Sequence, residues 1–184
     1  ATAARSEAEN RWAASAPGGG PLDAGMQRFR DAGRLTLNFH PDRLDRNGQT
    51  VAAGLAAEGS YKSQWITGSS SGSRSAVRGG HRQRFERKLF AGAYDDADPS
   101  AGEHPVYGSF DLLFDAHGGS PRFGSSFVVL APPVRARTTL CIGDSHMGAR
   151  DVGTFAQPWS LLAGLAEQAS RHDLSAETSA PAFS

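Results

Sequence analysis

Glycine and proline divide this chain into short segments of secondary structure. The 184 residues include 22 glycines and 10 prolines. Glycine readily adopts left-handed backbone conformations and proline lacks a backbone N–H, so both residues tend to end helices and strands. A chain of this length suits a single domain with a buried core. We therefore expect one domain that is built from short elements and contains no internal repeat.

The spacing of apolar residues predicts the type of each segment. An apolar repeat at helical spacing predicts an amphipathic helix over residues 21–32. Alternation of apolar and polar residues from Leu35 to Phe39 predicts a half-buried strand, which Pro41 ends. The other predicted elements are a helix at 50–59 that buries Val51 and Leu55, a strand at 61–67, a helix at 80–90, strands at 106–114, 123–131 and 136–142, and a last helix that begins at Pro158 and buries Leu161, Leu162 and Leu165. This irregular order predicts an α+β fold rather than a regular βαβ winding.

Composition changes at both ends of the chain. Residues 1–20 form an alanine-rich segment that a proline and glycine cluster ends, and we treat them as an N-terminal segment. Residues 21–170 are predicted to form the single α+β domain. Residues 171–184 are rich in alanine, serine, proline and glutamate, which predicts a disordered tail.

The charge balance limits the possible partners. Lysine plus arginine and aspartate plus glutamate each number 19, so the net charge is zero, and this argues against a strongly basic nucleic-acid binder. Basic residues nevertheless concentrate between Arg74 and Lys88. The helix predicted there has Phe85 and Leu89 on one face, and its basic residues form either a solvated face or a local anion-binding patch.

Several features indicate a soluble protein of the cytoplasm. No stretch approaches the roughly 20 apolar residues that cross a membrane, and no secretory signal begins the chain. Cys141 is the single cysteine, so an internal disulfide is excluded, which is consistent with a reducing compartment. Its apolar neighbours predict a buried core position rather than a nucleophile.

His40 and Arg43 are the candidate catalytic residues. His40 lies where a predicted strand ends, and polar groups at such positions often reach ligands. An imidazole there can donate to a ribose hydroxyl or transfer a proton near neutral pH, while the guanidinium of Arg43 can bind phosphate or carboxylate. The alternative is a capping histidine beside a surface arginine that pairs with Asp42.

A second group of residues is predicted to bind the ligand. The predicted strand at 61–67 places hydroxyl groups on one face and leads into a glycine- and serine-rich loop, whose free N–H groups could surround an anion or a ribose. Simple flexibility of that loop is the alternative. The candidate ligand-binding residues are Tyr61, Ser63, Gln64, Thr67, Gly68, Ser70 and, in a later turn, Arg122.

Other site types fit the sequence less well. The histidines and aspartates show no metal-ligand spacing, so no metal site is predicted. Residues 68–72 match the Gly-x-Ser-x-Gly pattern of serine hydrolases, but no apolar helix follows closely. The loop also lacks the lysine of a P-loop. Asp144 either orients a histidine or caps a turn.

Six segments together resemble a known family. They are Asn38–Arg43, Gly59–Gly68, Phe90–Tyr94, Tyr107–Ser109, Gly119–Ser125 and Arg137–Ser145. Their order resembles a bacterial family catalogued as domain of unknown function 3626, over about residues 20–165. The layout of that family is similar to ADP-ribosyltransferases, which implies helices around a mostly antiparallel, split sheet.

The resemblance also implies a cofactor and roles for site residues. The cofactor would be NAD, with His40 at its ribose, Arg43 at its pyrophosphate, and Tyr61, Ser63 and Thr67 around the nicotinamide. Family members continue into a segment with a catalytic glutamate, and nothing similar follows Gly164 here. The chain is therefore expected to be either an ADP-ribosyltransferase-like enzyme, in a truncated form, or a non-catalytic remnant or interaction domain. The target of transfer is not indicated.

Overall fold

The computed structural model describes residues 2–16, 18, 20–68, 76–98 and 102–176. The α-helices are α1 (Thr2–Ser15), α2 (Leu22–Asp31), α3 (Val51–Glu58), α4 (Gln64–Thr67), α5 (His81–Phe90) and α6 (Trp159–Ala176). The strands are β1 (Arg34–Phe39), β2 (Ser109–Asp111), β3 (Ser126–Val129), β4 (Thr139–Ile142) and β5 (Arg150–Thr154). Short 3₁₀ helices cover Pro121–Phe123, Pro132–Arg137 and Ser145–Met147.

The chain divides into two compact units. The central unit is Gly33–Pro132, and the terminal unit combines Ala1–Ala32 with Pro133–Ser184. The central unit holds the sheet β2-β1-β3, and the terminal unit holds the ladder β4-β5. The α+β class predicted from the sequence is confirmed, and both sheets are small, antiparallel and open.

Strand β1 forms the middle of the central unit. It is antiparallel to β2, with Leu35 opposite Phe110, and to β3, with Leu37 opposite Val128. The predicted strand is present. The prediction that it is only half-buried is wrong, because Thr36 and Asn38 on its polar face are also buried. Buried polar groups need partners, and the loop before β3 supplies them.

The loop at 117–124 covers the polar face of β1. Asn38 donates to the carbonyl oxygen of Gly124 at 3.2 Å and accepts from the amide of Ser120 at 3.1 Å. Gly124 has a φ of 152°, and a Cβ there would lie 1.9 Å from the carbonyl carbon of Phe39. The backbone of the loop therefore packs directly on the end of β1.

Local signals at the ends of α3 are confirmed. The side chain of Thr50 accepts from the amide of Ala53 at 3.1 Å, and Gly59 ends the helix at a φ of 64°. Such caps satisfy backbone groups that the helix leaves unpaired. Val51 and Leu55 are half-buried rather than buried, because they face a pocket.

One prediction about the central unit is wrong. Residues 64–67 form α4 rather than a strand, and Gly68 ends that helix at a φ of 65°. Helix α5 buries Arg82 and Glu86, whereas Phe85 and Leu89 are only half-buried. The polar residues of α5 turn inward because buried partners meet them there.

The predicted strands also differ in extent. The structure confines them to β2, β3 and β4, each three or four residues long. Strand β5 was not predicted; it pairs with β4 through Thr139 and Thr154, with an irregularity between Leu140 and Ile142. Alternation in a short, half-exposed ladder gives a weak signal in the sequence.

The terminal unit packs α1 and α2 against α6. Leu161 and Leu162 are buried as predicted, while Leu165 is half-buried. Helix α6 continues through Ala176, into the segment predicted as a tail, and residues 177–184 lie outside the described residues. No helix in the described parts of the chain combines the length and apolar character that a membrane span requires.

Cys141 lies on β4 of the terminal unit and is half-buried, rather than buried as predicted. Its partial burial raises the pKa of the thiol above its ordinary value. Because the thiolate is the reactive form, a raised pKa lowers reactivity at neutral pH. The interpretation of Cys141 as a packing residue rather than a nucleophile is consistent with this environment.

Candidate functional site

A pocket opens in the central unit beside the end of β1. It holds about 640 Å³, part of it open to solvent. The end of β1, the loop after it, α3 and the segment through α4 line it. The lining residues are Phe39, His40, Arg43, Asp45, Gln49, Thr50, Val51, Gly54, Leu55, Ser60, Tyr61, Lys62, Gln64 and Thr67.

Backbone hydrogen bonds fix the loop that carries His40 and Arg43. The amide of Val51 donates to the carbonyl oxygen of Arg43 at 2.9 Å, and that of Ala52 donates to Pro41 at 3.0 Å. These bonds attach the loop to the first turn of α3. The two candidate catalytic side chains therefore enter the pocket from a defined backbone.

Tyr61 lines the same pocket. Its ring packs against Phe39, with a centroid distance of 6.0 Å. Burial raises the pKa of Tyr61, and the nearby charge of Arg43 partly opposes that rise. The phenol therefore stays protonated at neutral pH and can donate a hydrogen bond within reach of the Arg43 charge.

Helix α4 is attached to the same loop. The guanidinium of Arg46 donates to the carbonyl oxygen of Trp65 at 2.9 Å, and its amide donates to that of Thr67 at 2.9 Å. Gln64 and Thr67 face the pocket from this helix. The pocket wall and the His40 loop thus share one backbone framework.

The change from predicted strand to helix separates the predicted ligand-binding residues. Tyr61, Gln64 and Thr67 line the pocket, but Ser63 is buried beside it, with a side-chain oxygen that has no partner among the described residues. Gly68 ends α4 and lies outside the lining. Period-two spacing does not hold through a helix, so the three hydroxyl groups do not share one face.

Other predicted residues lie elsewhere. Arg122 belongs to a 3₁₀ helix, where its guanidinium covers the ring of Phe123 at 4.5 Å, and it does not line this pocket. Ser70 falls outside the described residues. Asp144 caps the turn at Ser145–Met147 and also accepts from the ring of His146 at 2.6 Å, within the terminal unit.

Asp45 is the one carboxylate among the described residues that line the pocket. Its Oδ1 accepts from the amides of Asn47 at 2.8 Å and Gln49 at 3.0 Å. This Asx turn orients the side chain at the pocket edge. Across the described residues, no group of three metal-binding side chains occurs.

A buried carboxylate that sequence reasoning missed lies behind the pocket. The side chain of Glu86 is 2 % exposed. It accepts from the indole of Trp65 at 3.1 Å and the hydroxyl of Tyr107 at 3.2 Å, and lies 3.1 Å from Nδ1 of His104. Arg82 follows at 3.7 Å. We call these five residues the Glu86 cluster.

Electrostatics in the Glu86 cluster follow from burial. Burial raises the pKa of Tyr107 well above its ordinary value, and the adjacent negative charge of Glu86 adds to the effect. Burial also lowers the pKa of Arg82, although an arginine remains charged in proteins. The cluster therefore places the buried Arg82–Glu86 pair among the polar groups of Trp65, Tyr107 and His104. The sequence signal was the pair Arg82 and Glu86 at i, i+4, within a stretch that reads as a solvated face.

Comparison with known proteins identifies the family but not an activity. A search of curated proteins found no match. The model of the family described as "Protein of unknown function (DUF3626)" matches residues 34–179, which is more than half of the chain and includes the whole pocket lining. The chain therefore belongs to the DUF3626 family.

Proposed function

We propose that the central unit binds a dinucleotide of the NAD type in the pocket beside β1 and acts as an ADP-ribosyltransferase-like enzyme. The observation that carries the proposal is the convergence of His40, Arg43 and Tyr61 on one pocket. Imidazole, guanidinium and phenol are donors suited to ribose and phosphate oxygens.

The pocket offers chemistry for each part of such a ligand. Arg43 and Lys62 bring positive charge that favours a pyrophosphate. His40 can donate to a ribose hydroxyl, and the rings of Phe39 and Tyr61 provide an aromatic wall for a base or nicotinamide ring.

Transfer would break the bond between the nicotinamide nitrogen and the ribose carbon, and the electron pair would leave with nicotinamide. The same carbon would form a new bond to a nucleophilic oxygen or nitrogen of the target, or to water, and that nucleophile would give up a proton. The ribose then gains positive charge, which a carboxylate stabilises. Asp45 is the carboxylate that the described lining offers for this purpose. We expect the reaction to take place in the cytoplasm, where NAD is available.

A nucleotide-binding module without turnover is the second candidate. The carboxylate of Asp45 already accepts two backbone hydrogen bonds, and no glutamate is found among the described lining residues. Binding of NAD without release of nicotinamide would favour this candidate over the enzyme.

Calorimetry and a nicotinamide-release assay test both candidates. The variants His40→Ala and Arg43→Ala should each weaken binding of NAD and ADP-ribose at least about tenfold, because each removes a charged or polar ligand contact. The matched controls His117→Ala and Arg122→Ala lie outside the lining and should bind as the wild type does. Equal binding by all four variants would contradict the proposed site.

A further inference from the structure

We propose that Gln64 selects the ligand by donating from its amide nitrogen, and that the buried Arg82–Glu86 pair positions it to do so. This inference rests on the proposed nucleotide site. It adds Gln64 as a specificity-determining residue, and Arg82 and Glu86 as positioning residues. Arg82 and Glu86 do not line the pocket. Gln64 lies on α4, with its side chain in the pocket wall.

The orientation of the Gln64 amide follows from its contact with Arg82. Nη2 of Arg82 donates to Oε1 of Gln64. A guanidinium carries only donors, so the atom that meets it must be the amide oxygen. The nitrogen Nε2 then remains, and it has no hydrogen-bond partner in the described part of the chain. Gln64 therefore presents its two N–H donors to a ligand, while its oxygen is directed towards Arg82.

Arg82 itself is held on several sides. Its side chain is 8 % exposed and lies 3.7 Å from Glu86. The guanidinium covers the rings of Phe85 and Tyr107 at 5.3 and 5.2 Å. Packing between two rings and beside a buried carboxylate leaves the group few alternative positions. The hydrogen bond to Gln64 is thus made by a fixed donor.

Glu86 fixes α4 a second time through the neighbouring residue. The indole nitrogen of Trp65 donates to both carboxylate oxygens, at 3.1 and 3.3 Å. The ring of Trp65 also stacks on His104, with centroids 4.2 Å apart. The backbone of α4 and the Gln64 side chain therefore both depend on the Glu86 cluster.

A donor held in this way recognises an acceptor oxygen on the ligand. On a dinucleotide, such oxygens belong to the nicotinamide carboxamide or to the phosphates and riboses. NAD and ADP-ribose separate these sources, because ADP-ribose lacks nicotinamide. A buried donor left without an acceptor costs binding energy, so a ligand without the oxygen is rejected.

Side-chain amide NMR of the ¹⁵N-labelled full chain tests the positioning. The Gln64 amide signals are assigned by their absence in Gln64→Glu. In Arg82→Lys, which keeps the charge but loses the planar fork, and in Glu86→Gln, which loses the charge and replaces one acceptor oxygen with an NH₂ donor, these signals should shift. The side-chain amide signals of Gln27, in the terminal unit, should stay in place. Unchanged Gln64 signals in both variants would overturn the positioning role.

Titration with NAD and ADP-ribose tests the donor role. Gln64→Glu keeps an acceptor for Arg82 but removes the donors, so it should fold normally and bind the nucleotide at least about tenfold more weakly. The matched control Gln83→Glu carries the same change on α5, outside the lining, and should bind within about twofold of the wild type.

The experiments distinguish failure of the Gln64 role from failure of the proposed nucleotide site. Saturable binding that leaves the Gln64 amide signals unmoved, or equal affinity in Gln64→Glu, overturns only the role of Gln64. Absence of binding of either nucleotide by the wild type overturns the nucleotide site and with it the donor role. A response to NAD but not to ADP-ribose assigns the acceptor oxygen to nicotinamide.

Discussion

The two units use the same pair of groups, an arginine and a carboxylate, in opposite environments. In the central unit, Glu86 is 2 % exposed and its arginine lies 3.7 Å away. In the terminal unit, Arg11 meets Asp151 and Glu167 at 2.7 Å each, and all three side chains are 19–29 % exposed. The buried pair is longer and is surrounded by the polar groups of other buried side chains, whereas the partly exposed pair is short and direct.

The difference shows that a short distance between two charged groups and a large contribution to the free energy of unfolding are separate properties. Water screens the Arg11 pair and would solvate its members if they parted. The donors around Glu86 have no such alternative, because breaking a buried pair leaves desolvated groups behind. We therefore expect the longer, buried contact to contribute more to the free energy of unfolding.

The largest effect is expected for Glu86→Ala. The variant leaves the indole of Trp65, the hydroxyl of Tyr107 and the Arg82 charge without their acceptor, and should lower the free energy of unfolding by about 3–5 kcal/mol. Urea denaturation followed by circular dichroism measures it. The control Glu58→Ala removes a more exposed carboxylate bound to Lys62 and should change little. A loss below about 1 kcal/mol for Glu86→Ala would contradict the comparison.

A smaller effect is expected for Arg11→Ala. Arg11 joins α1 to α6 and β5 through its two carboxylates. Hydrogen bonds to charged groups contribute about 1.5–3 kcal/mol when buried, and partial exposure reduces this to about 1–2 kcal/mol in total. The same denaturation measurement applies, with added salt weakening the contribution. A loss as large as that of Glu86→Ala would reverse the expected ranking.

Acid should remove the contribution of Arg11 specifically. Hydrogen bonds from Arg11 hold the pKa values of Asp151 and Glu167 below their ordinary values, although partial burial opposes the effect. A depressed folded-state pKa stabilises the protein above the unfolded values of about 3.9 and 4.3, and this stabilisation is lost as pH falls through the folded-state values. The difference between wild type and Arg11→Ala should thus be constant above about pH 5 and narrow below about pH 4. A difference that does not depend on pH would contradict the assignment.

The smallest effect is expected for Arg5→Ala. Arg5 meets Glu9 and Asp23 at 2.9 Å, but the side chains are 39–63 % exposed. Exposed ion pairs contribute little because solvent and salt screen them. Thermal unfolding should give the wild-type midpoint within error. A clear drop would mean that distance, rather than burial, governs these contacts.

Local rules predicted the parts of the fold that depend on neighbouring residues. The alternation in Leu35–Phe39 predicted β1, and Thr50 with Gly59 predicted both ends of α3. The stretch at 61–67 misled because it contains aromatic and β-branched residues that are frequent in strands, although Gly68 is also a helix-ending residue. A single helical turn gives too few residues for its period to be read.

Residues of the pocket could be predicted from the sequence, whereas the Glu86 cluster could not. His40, Arg43 and Tyr61 were predicted as site residues from strand ends and a family resemblance, and they line one pocket; their ligand stays a prediction. The burial of Glu86 depends on Trp65 and on His104, residues that precede and follow it by about twenty positions. Partners of that kind leave no periodic signal, so only the folded chain brings them together.

Gly124 lies outside the pocket lining, but it packs against the end of β1. A substitution at Gly124 can therefore distort the pocket. A methyl group at 124 would meet the carbonyl carbon of Phe39 at 1.9 Å and the amide nitrogen of His40 at 2.5 Å, so the backbone that carries the imidazole would have to shift. An inherited change at this glycine would therefore displace the backbone of His40 while every residue that lines the pocket stays the same. A comparison of related sequences at the lining residues alone would miss such a change.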